Sequence, residues 1–271
     1  MRLDLKAALT TTPHAPKWVI EGIIPAGTTV LQAGDAGVGK STMNLAEGMH
    51  VALAREFLCH RTFQTRVLYF DEENSKPDIY AYLQRLWVGM GCPDQALLEP
   101  WFRVEHFSLG VSSWPDRMAA LVAEWQPGLI YIDTATSALA IVQENDNSEA
   151  QVAVQRLRRA AGPECAIKVL KHAKFESGGN HQGGTRRTIR GAKAWLGAVD
   201  QTMYHIKASG GRPRKDGLHQ TILVPDKRRA FGLRHHIRIT PVVAENNANG
   251  LILKGEIFTP EKDLMIVPGN Q

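Results

Sequence analysis

The chain has 271 residues, of which 44% are hydrophobic and 22% are charged, and its formal net charge is +5. This ordinary globular composition excludes a disordered, collagenous or disulfide-scaffold protein, and the length suits one large α/β domain or two small ones. The charge is unevenly distributed. Residues 171–238 contain 15 Lys or Arg against 4 Asp or Glu, a net +11, which leaves −6 for the rest of the chain. The sequence therefore predicts an acidic body with a basic last third.

The cysteines and the N-terminus indicate the compartment. Cys59, Cys92 and Cys165 lie far apart, with no histidine at metal-ligand spacing, so we expect buried thiols in a reducing cytoplasm. Residues 1–16 lack the apolar core of a secretory signal, and no apolar run approaches the roughly 20 residues that span a bilayer. We expect a soluble, cytoplasmic protein without a membrane partner.

Apolar runs of strand length alternate with amphipathic stretches of helix length through the first two thirds of the chain. The predicted strands are 28–33, 66–70, 101–106, 128–132 and 166–170, and the predicted helices between them are 41–54, 79–90, 115–125 and 149–161. This alternation predicts an α/β fold with a mainly parallel central sheet covered by helices.

The character of the sequence changes after residue 171. Residues 177–188 are rich in glycine and basic residues and predict a loop, and 208–217 predict a basic hairpin tip. The remaining apolar runs predict a C-terminal antiparallel extension, with strands at 201–207, 218–224, 236–240 and 251–258. Residues 260–271 read as a loose tail.

The segment GDAGVGKS fits the pattern G-x-x-x-x-G-K-[ST] in full, between a predicted strand and a predicted helix. Its glycines allow backbone N–H groups to surround a phosphate, and the following helix directs its positive end at the same anion. The motif predicts that Lys40 reaches the β- and γ-phosphates and that Ser41 offers a hydroxyl to Mg²⁺. The predicted nucleotide-binding residues are Gly34, Asp35, Ala36, Gly37, Val38, Gly39, Lys40, Ser41 and Thr42.

A magnesium-nucleotide site also needs a carboxylate at the end of a buried strand. Asp133 follows the apolar run GLIYI and has this position, although a helix N-cap is the alternative reading. Asp71, after RVLYF, is the competing candidate, and the strand order must decide between them. The cluster Asp71, Glu72 and Glu73 can also supply a base that orients water, but successive strand residues face opposite sides, so the three cannot share one phosphate.

These motifs resemble the RecA-like ATPases, and most closely the hexameric replicative helicases of the plasmid RepA type. The phrase WVIEGIIPAG at 18–27, leading into the P-loop strand, is typical of that group, and the resemblance covers about 18–232. It implies a RecA-like ATPase domain at 18–259, with 1–17 as an N-terminal arm and 260–271 as a tail. It also implies that ATP and Mg²⁺ are the cofactors.

The resemblance further implies individual catalytic roles. Glu73 falls on the catalytic glutamate and Asp133 on the Walker B aspartate that shares the metal with Ser41. His172, at the end of a later strand, falls on the residue that senses the γ-phosphate, although a lone histidine is more often structural. Lys227 and Arg229 match a K-x-R pattern that acts on the neighbouring subunit's ATP, against the alternative of a solvated basic cluster.

The resemblance also places two DNA-binding loops, within 137–148 and within 174–193. In the second loop the candidate contacts to a DNA backbone are Lys174, Arg186, Arg187, Arg190 and Lys193. Few aromatic residues are interleaved with them, which favours backbone tracking over base stacking. In the first loop, acidic residues weaken the prediction.

The sequence thus leads to one main hypothesis and two alternatives. The main hypothesis is an ATP-dependent helicase or translocase that assembles into a ring, hexameric by resemblance, on single-stranded DNA during replication of a plasmid, phage or mobile element. The first alternative is a RecA-like DNA-binding or regulatory ATPase that does not separate strands. The second is a metabolic P-loop kinase, which would need a substrate lid that the sequence does not reveal.

Overall fold

The computed structural model describes residues 5–10, 16–106, 114–135, 147–172, 192–208, 218–228, 232–244 and 247–258. The helices are α1 (Leu5–Thr10), α2 (Lys40–Ala52), α3 (Lys76–Gly89), α4 (Gln95–Leu98), α5 (Trp114–Trp125), α6 (Asn147–Ala161) and α7 (Ala192–Ala198). The strands are β1 (Trp18–Ile20), β2 (Ile24–Pro25), β3 (Thr29–Gly34), β4 (Val67–Asp71), β5 (Phe102–Glu105), β6 (Leu129–Asp133), β7 (Ala166–His172), β8 (Gln201–Lys207), β9 (Thr221–Arg228), β10 (His236–Ala244) and β11 (Asn247–Phe258).

Nine of these strands form one sheet in the order β11-β10-β9-β8-β3-β7-β6-β4-β5. The six strands from β8 to β5 are mutually parallel. The other three, β9, β10 and β11, are added antiparallel at the β8 side. This arrangement confirms the predicted fold class, a mainly parallel α/β sheet with a C-terminal antiparallel extension.

The burial pattern explains why the two halves of the sheet differ in sequence. Every residue of β3, β4 and β6 is buried, because helices cover both faces of the parallel half. Residues of α2 and α3 pack on one face and residues of α5, α6 and α7 on the other. β10 instead alternates between buried and partly exposed residues, as expected for a strand with one covered face.

Several boundaries differ from the predictions. α3 begins at Lys76 rather than at residue 79, because the Ser75 side chain caps it by accepting from the Asp78 N–H. β7 continues to His172, and β9 is shifted to Thr221–Arg228. Periodicity also did not predict the small β1–β2 sheet or the short helices α1, α4 and α7, which are too short to show a period.

The prediction of three buried thiols is wrong for two cysteines. Cys165 is buried next to the start of β7, whereas Cys59 and Cys92 are exposed. Both exposed residues have positive φ and lie outside the helices and strands. None of the helices among the described residues is both long enough and apolar enough to span a membrane.

Candidate nucleotide-binding and catalytic site

The loop of residues 34–41 joins the end of β3 to the start of α2, as the phosphate-binding motif requires. Gly34 approaches β8 so closely that a Cβ atom would collide with the backbone oxygen of His205. Gly39 has a φ of 88°, in the left-handed region that favours glycine. It is the N-cap of α2 and provides no side-chain cap. The first backbone N–H groups of α2 are therefore suited to an anion such as a phosphate.

The Lys40 ammonium lies inside this loop and is almost completely buried. Its Nζ donates to the backbone oxygens of Gly34 at 3.0 Å and Asp35 at 2.9 Å, and lies 3.4 Å from Nδ1 of His172. Burial lowers the pKa of Lys40, and the nearby Glu73 carboxylate is the largest effect opposing that shift. The cation is thus held at the centre of the loop, where the motif requires it.

His172 connects Lys40 to Glu73. The Nε2 atom of His172 lies 2.9 Å from Oε1 of Glu73, although the two residues stand at the ends of strands that are not adjacent. Since the Lys40 ammonium can only donate, His172 accepts at Nδ1 and carries its proton on Nε2, which donates to Glu73. That hydrogen bond is the main cause that lowers the pKa of Glu73, which keeps the carboxylate charged.

Asp133 lies at the end of β6, completely buried beside this chain of contacts. The Tyr69 hydroxyl donates to its Oδ2 at 2.8 Å, and hydrogen bonding to Ser41 also favours the charged form. The other oxygen, Oδ1, is buried and has no hydrogen-bond partner among the described residues. Burial nevertheless raises the pKa of Asp133 to about 6. A buried carboxylate oxygen without a partner, close to Ser41, fits a divalent cation.

Asp71, the competing candidate, lies directly opposite Asp133 in the register of β4 and β6. Its carboxylate accepts from the backbone N–H groups of Glu73 at 3.1 Å and Asn74 at 2.8 Å, and from Nδ2 of Asn74 at 2.8 Å. These bonds close the turn after β4 and place Glu73 next to His172. Of the two aspartates, only Asp133 combines an influence of Ser41 on its pKa with a carboxylate oxygen that has no partner among the described residues, so it is the better candidate for a metal ligand.

A family model for an AAA domain matches residues 1–178, which include the P-loop, both aspartates, Glu73 and His172. The chain belongs to the AAA domain family. It is therefore a P-loop ATPase by family, and the uncapped end of α2, Lys40 and the unpartnered Asp133 oxygen fit the magnesium-bound nucleotide that such ATPases use. No curated protein matches the chain.

The AAA domain has a solved structural relative. A KaiC-like protein from the hyperthermophilic archaeon Pyrococcus horikoshii superposes with a TM-score of 0.54 over 89% of this chain and 99% of that chain, at 15% sequence identity. At this identity the likeness shows a shared RecA-like fold. The family match identifies an AAA domain, and the resemblance to RepA-type helicases stays a hypothesis.

A cavity of about 170 Å³ adjoins the P-loop of the AAA domain on the side away from Glu73, and Gly37, Gly39 and Thr42 form one wall. The opposite wall comes from α3, β8 and the antiparallel extension, and includes Tyr82, Arg85, His205, Lys207, Leu251 and Leu253. Its mixture of apolar and donor groups next to the phosphate loop suits a nucleotide base. Sequence reasoning missed these residues, because no local motif marks side chains that converge from three separate elements.

Several predicted functional residues lie outside the described part of the AAA-domain protein. These are Lys174, Arg186, Arg187, Arg190 and Arg229, together with most of the loop within 137–148 and the 260–271 tail. Lys193 falls on α7 and Lys227 on β9, and the side chains of both lie outside the described residues. Their assignments to DNA and to a neighbouring subunit's nucleotide stay predictions.

Proposed function

We propose that this AAA-domain protein hydrolyses magnesium-bound ATP and uses it to move along single-stranded DNA as a ring-forming helicase or translocase, in replication of a plasmid, phage or mobile element. The observation that carries the proposal is the continuous contact from Lys40 through His172 to Glu73. It joins a phosphate-binding cation to a water-activating carboxylate at the point where β7 leads into the predicted DNA-binding loop.

The catalytic part of the proposal assigns one task to each side chain. Ser41 and Asp133 would hold magnesium, which neutralises phosphate charge when bound. Lys40 leaves the loop oxygens to contact the phosphates. Glu73 remains a carboxylate at neutral pH, since its pKa is lowered, and can accept a proton from the attacking water. The turn closed by Asp71 holds Glu73 in place.

His172 supplies the proposed link between chemistry and movement. Its ring contacts Lys40 on one side and Glu73 on the other, so a change at the phosphates reaches Glu73 through one side chain. The same residue ends β7 and directly precedes residues 174–193. In this proposal a change in the position of the His172 imidazole is therefore transmitted to the segment that holds Lys174, Arg186, Arg187, Arg190 and Lys193.

The charge distribution supports a polyanionic partner. A net charge of +11 between residues 171 and 238 attracts a phosphate backbone, and such binding is independent of sequence. In this proposal Lys227 and Arg229 bind a different anion, the ATP of the neighbouring subunit. Turnover therefore requires assembly of the ring, which we propose to be a hexamer.

Three assays on the purified chain test the proposal. ATP hydrolysis should require Mg²⁺ and should rise with single-stranded DNA, and a fluorescent duplex with a single-stranded tail should be unwound. Arg229→Ala should abolish turnover yet retain ATP binding, whereas Arg234→Ala, in the same basic segment, is the matched control that should turn over normally. Hydrolysis that single-stranded DNA does not stimulate would contradict the DNA-motor part of the proposal.

A regulatory or DNA-binding ATPase without strand separation is the alternative. It rests on the same P-loop, His172 and Glu73 geometry, since none of these contacts requires that the strands of a duplex be separated. Both hypotheses predict ATPase activity, so the strand-displacement assay distinguishes them. DNA-stimulated hydrolysis without displacement of the annealed strand would support the alternative.

A further inference from the structure

A second polar contact joins α2 to β7, deep in the interior and away from the phosphate loop. The Lys168 ammonium binds both oxygens of Glu47, with Nζ–Oε1 of 2.7 Å and Nζ–Oε2 of 3.0 Å. The Tyr131 hydroxyl of β6 donates to the same Oε1 at 2.8 Å. All three side chains have 0% exposure. The hydrolysis chemistry proposed above uses none of them.

Stability does not account for this buried cluster. Removing two charges from water carries a large desolvation cost, and apolar residues of similar volume often match or exceed the stability of such a pair. Met43, Met49 and Leu170 belong to the hydrophobic core on this face of the sheet, so apolar side chains are already part of the surroundings of the pair. A bidentate ion pair is directional, so it specifies the position of one element relative to another more narrowly than non-directional apolar contacts do.

The geometry shows which position is fixed. Lys40 and Glu47 lie two turns apart on one face of α2, about 10 Å along its axis. Lys168 and His172 lie on one face of β7, about 13 Å apart along the strand. The buried pair therefore joins the same two elements, on the same faces, as the contact of 3.4 Å between Lys40 and His172. Sliding or rotation of α2 would break both contacts together.

We propose that Glu47, Lys168 and Tyr131 are positioning residues that fix the register of α2 against β7 and thereby hold Lys40 at His172. We name them the register cluster. The cluster also reaches the predicted metal ligand, because the Tyr131 ring stacks on Tyr69 at 5.2 Å and Tyr69 donates to Asp133. Its effect on turnover rests on the proposed ATPase function.

The test replaces the whole cluster by apolar groups of similar volume, in the triple variant Glu47→Leu, Lys168→Met and Tyr131→Phe. No polar atom of the cluster is then left without a partner, so the melting temperature should stay within a few degrees or rise. The Kd for ATP should change by less than about threefold. We expect kcat to fall at least about tenfold, because small misplacements of catalytic groups cost this much or more.

A matched control separates positioning from stability. Leu157→Ala removes a fully buried side chain from the core on the opposite face of the sheet. It should lower the melting temperature and leave kcat unchanged at temperatures where the protein is folded. A triple variant with wild-type kcat would overturn the proposal. If the triple variant does not fold, Tyr131→Phe alone decides: a kcat reduced about twofold or more supports the proposal, and a wild-type kcat overturns it.

A double-mutant cycle tests whether the register cluster acts through His172. His172→Ala should cost less in kcat in the triple variant than in the wild-type chain, because the contact it removes is already weakened. Costs that are simply additive would overturn the proposal. If the wild-type chain hydrolyses no ATP, the proposed function fails, and the ring ¹⁵N shifts of His172 then decide the register proposal. Shifts that are the same in the wild-type chain and the triple variant would overturn it.

Discussion

The ends of β4 and β6 place the same residue type in the same position with opposite consequences. Asp71 and Asp133 are register partners on adjacent parallel strands, both have 0% exposure, and burial raises the pKa of both. Asp71 accepts three hydrogen bonds from the turn that follows it. Asp133 keeps one oxygen without a partner among the described residues and has a pKa of about 6.

Hydrogen bonding, more than burial or strand position, separates a structural carboxylate from one available to a ligand. The chain after β4 turns back over Asp71, so its N–H groups saturate the carboxylate. Asp133 has no partner at Oδ1 among the described residues, so the hydrogen bond from Tyr69 offsets only part of the cost of burying its charge. Four measurements test this difference between Asp71 and Asp133.

The largest expected effect distinguishes Asp71 from the glutamate that it positions. Glu73→Gln should lower kcat by about 10²–10⁴-fold, because the neutral amide cannot accept a proton from water, and should retain ATP binding. Asp71→Asn should lower kcat by only about tenfold, since it loosens the turn but keeps the catalytic carboxylate. Steady-state hydrolysis and fluorescent-nucleotide binding measure both. Equal losses would show that Asp71 has a direct role.

The next prediction concerns stability and has opposite signs at the two sites. The raised pKa of Asp133 means that the folded state holds its proton more tightly, so stability is lost as the pH rises from about 4 to about 6. At pH 8 without magnesium, Asp133→Asn should stabilise the fold by about 3 kcal/mol, the value of about two pKa units. Asp71→Asn should destabilise it by about 1–3 kcal/mol, because an amide nitrogen then faces N–H donors.

Urea denaturation at pH 8 and pH 4 measures this prediction. The gain from Asp133→Asn should be almost lost near pH 4, where the aspartate is neutral in the folded chain and about half protonated in the unfolded chain. A gain of the same size at both pH values would contradict the proposed cause.

Magnesium binding should depend on the ionisation of Asp133. Below pH 6 the metal must displace a proton, so its apparent affinity should fall by about tenfold per pH unit. Isothermal titration of magnesium into the complex with ATP, between pH 5 and pH 8, measures the effect. The Asp133→Asn variant serves as the control and should show only the weaker pH dependence that comes from protonation of the γ-phosphate of ATP. A wild-type profile with the same pH dependence as this variant would remove Asp133 from the metal site.

The smallest effect tests the hydrogen bond from Tyr69. Tyr69→Phe removes a donor that favours the charged form of Asp133, so the pKa of Asp133 should rise further, by up to about one unit. The midpoint of the magnesium-affinity profile should move to higher pH by the same amount. A midpoint that does not move would show that Tyr69 is structural only.

The local patterns were sufficient for most of the fold. The continuous apolar runs of β3, β4 and β6 and the amphipathic periods of α2 and α5 are consequences of a sheet that helices cover on both faces, so each can be predicted from a window of a few residues. The short helices α1, α4 and α7 fell below the length at which a period can be detected. The exposure of Cys59 and Cys92 depends on what packs over a turn, which composition does not reveal.

What the sequence determined by itself was the phosphate loop, because its backbone conformation is set by adjacent residues such as Gly39 and Lys40. Only the tertiary structure decided which residues from different elements come together. His172 bridges Lys40 and Glu73, and Glu47 pairs with Lys168. The Asp71 carboxylate accepts three hydrogen bonds, whereas Asp133 keeps one oxygen without a partner among the described residues. These contacts join residues up to 132 positions apart, and they depend on strand order and hydrogen-bond competition. No local segment of the sequence reveals the strand order or the competition for hydrogen bonds, because both arise only when the sheet has formed.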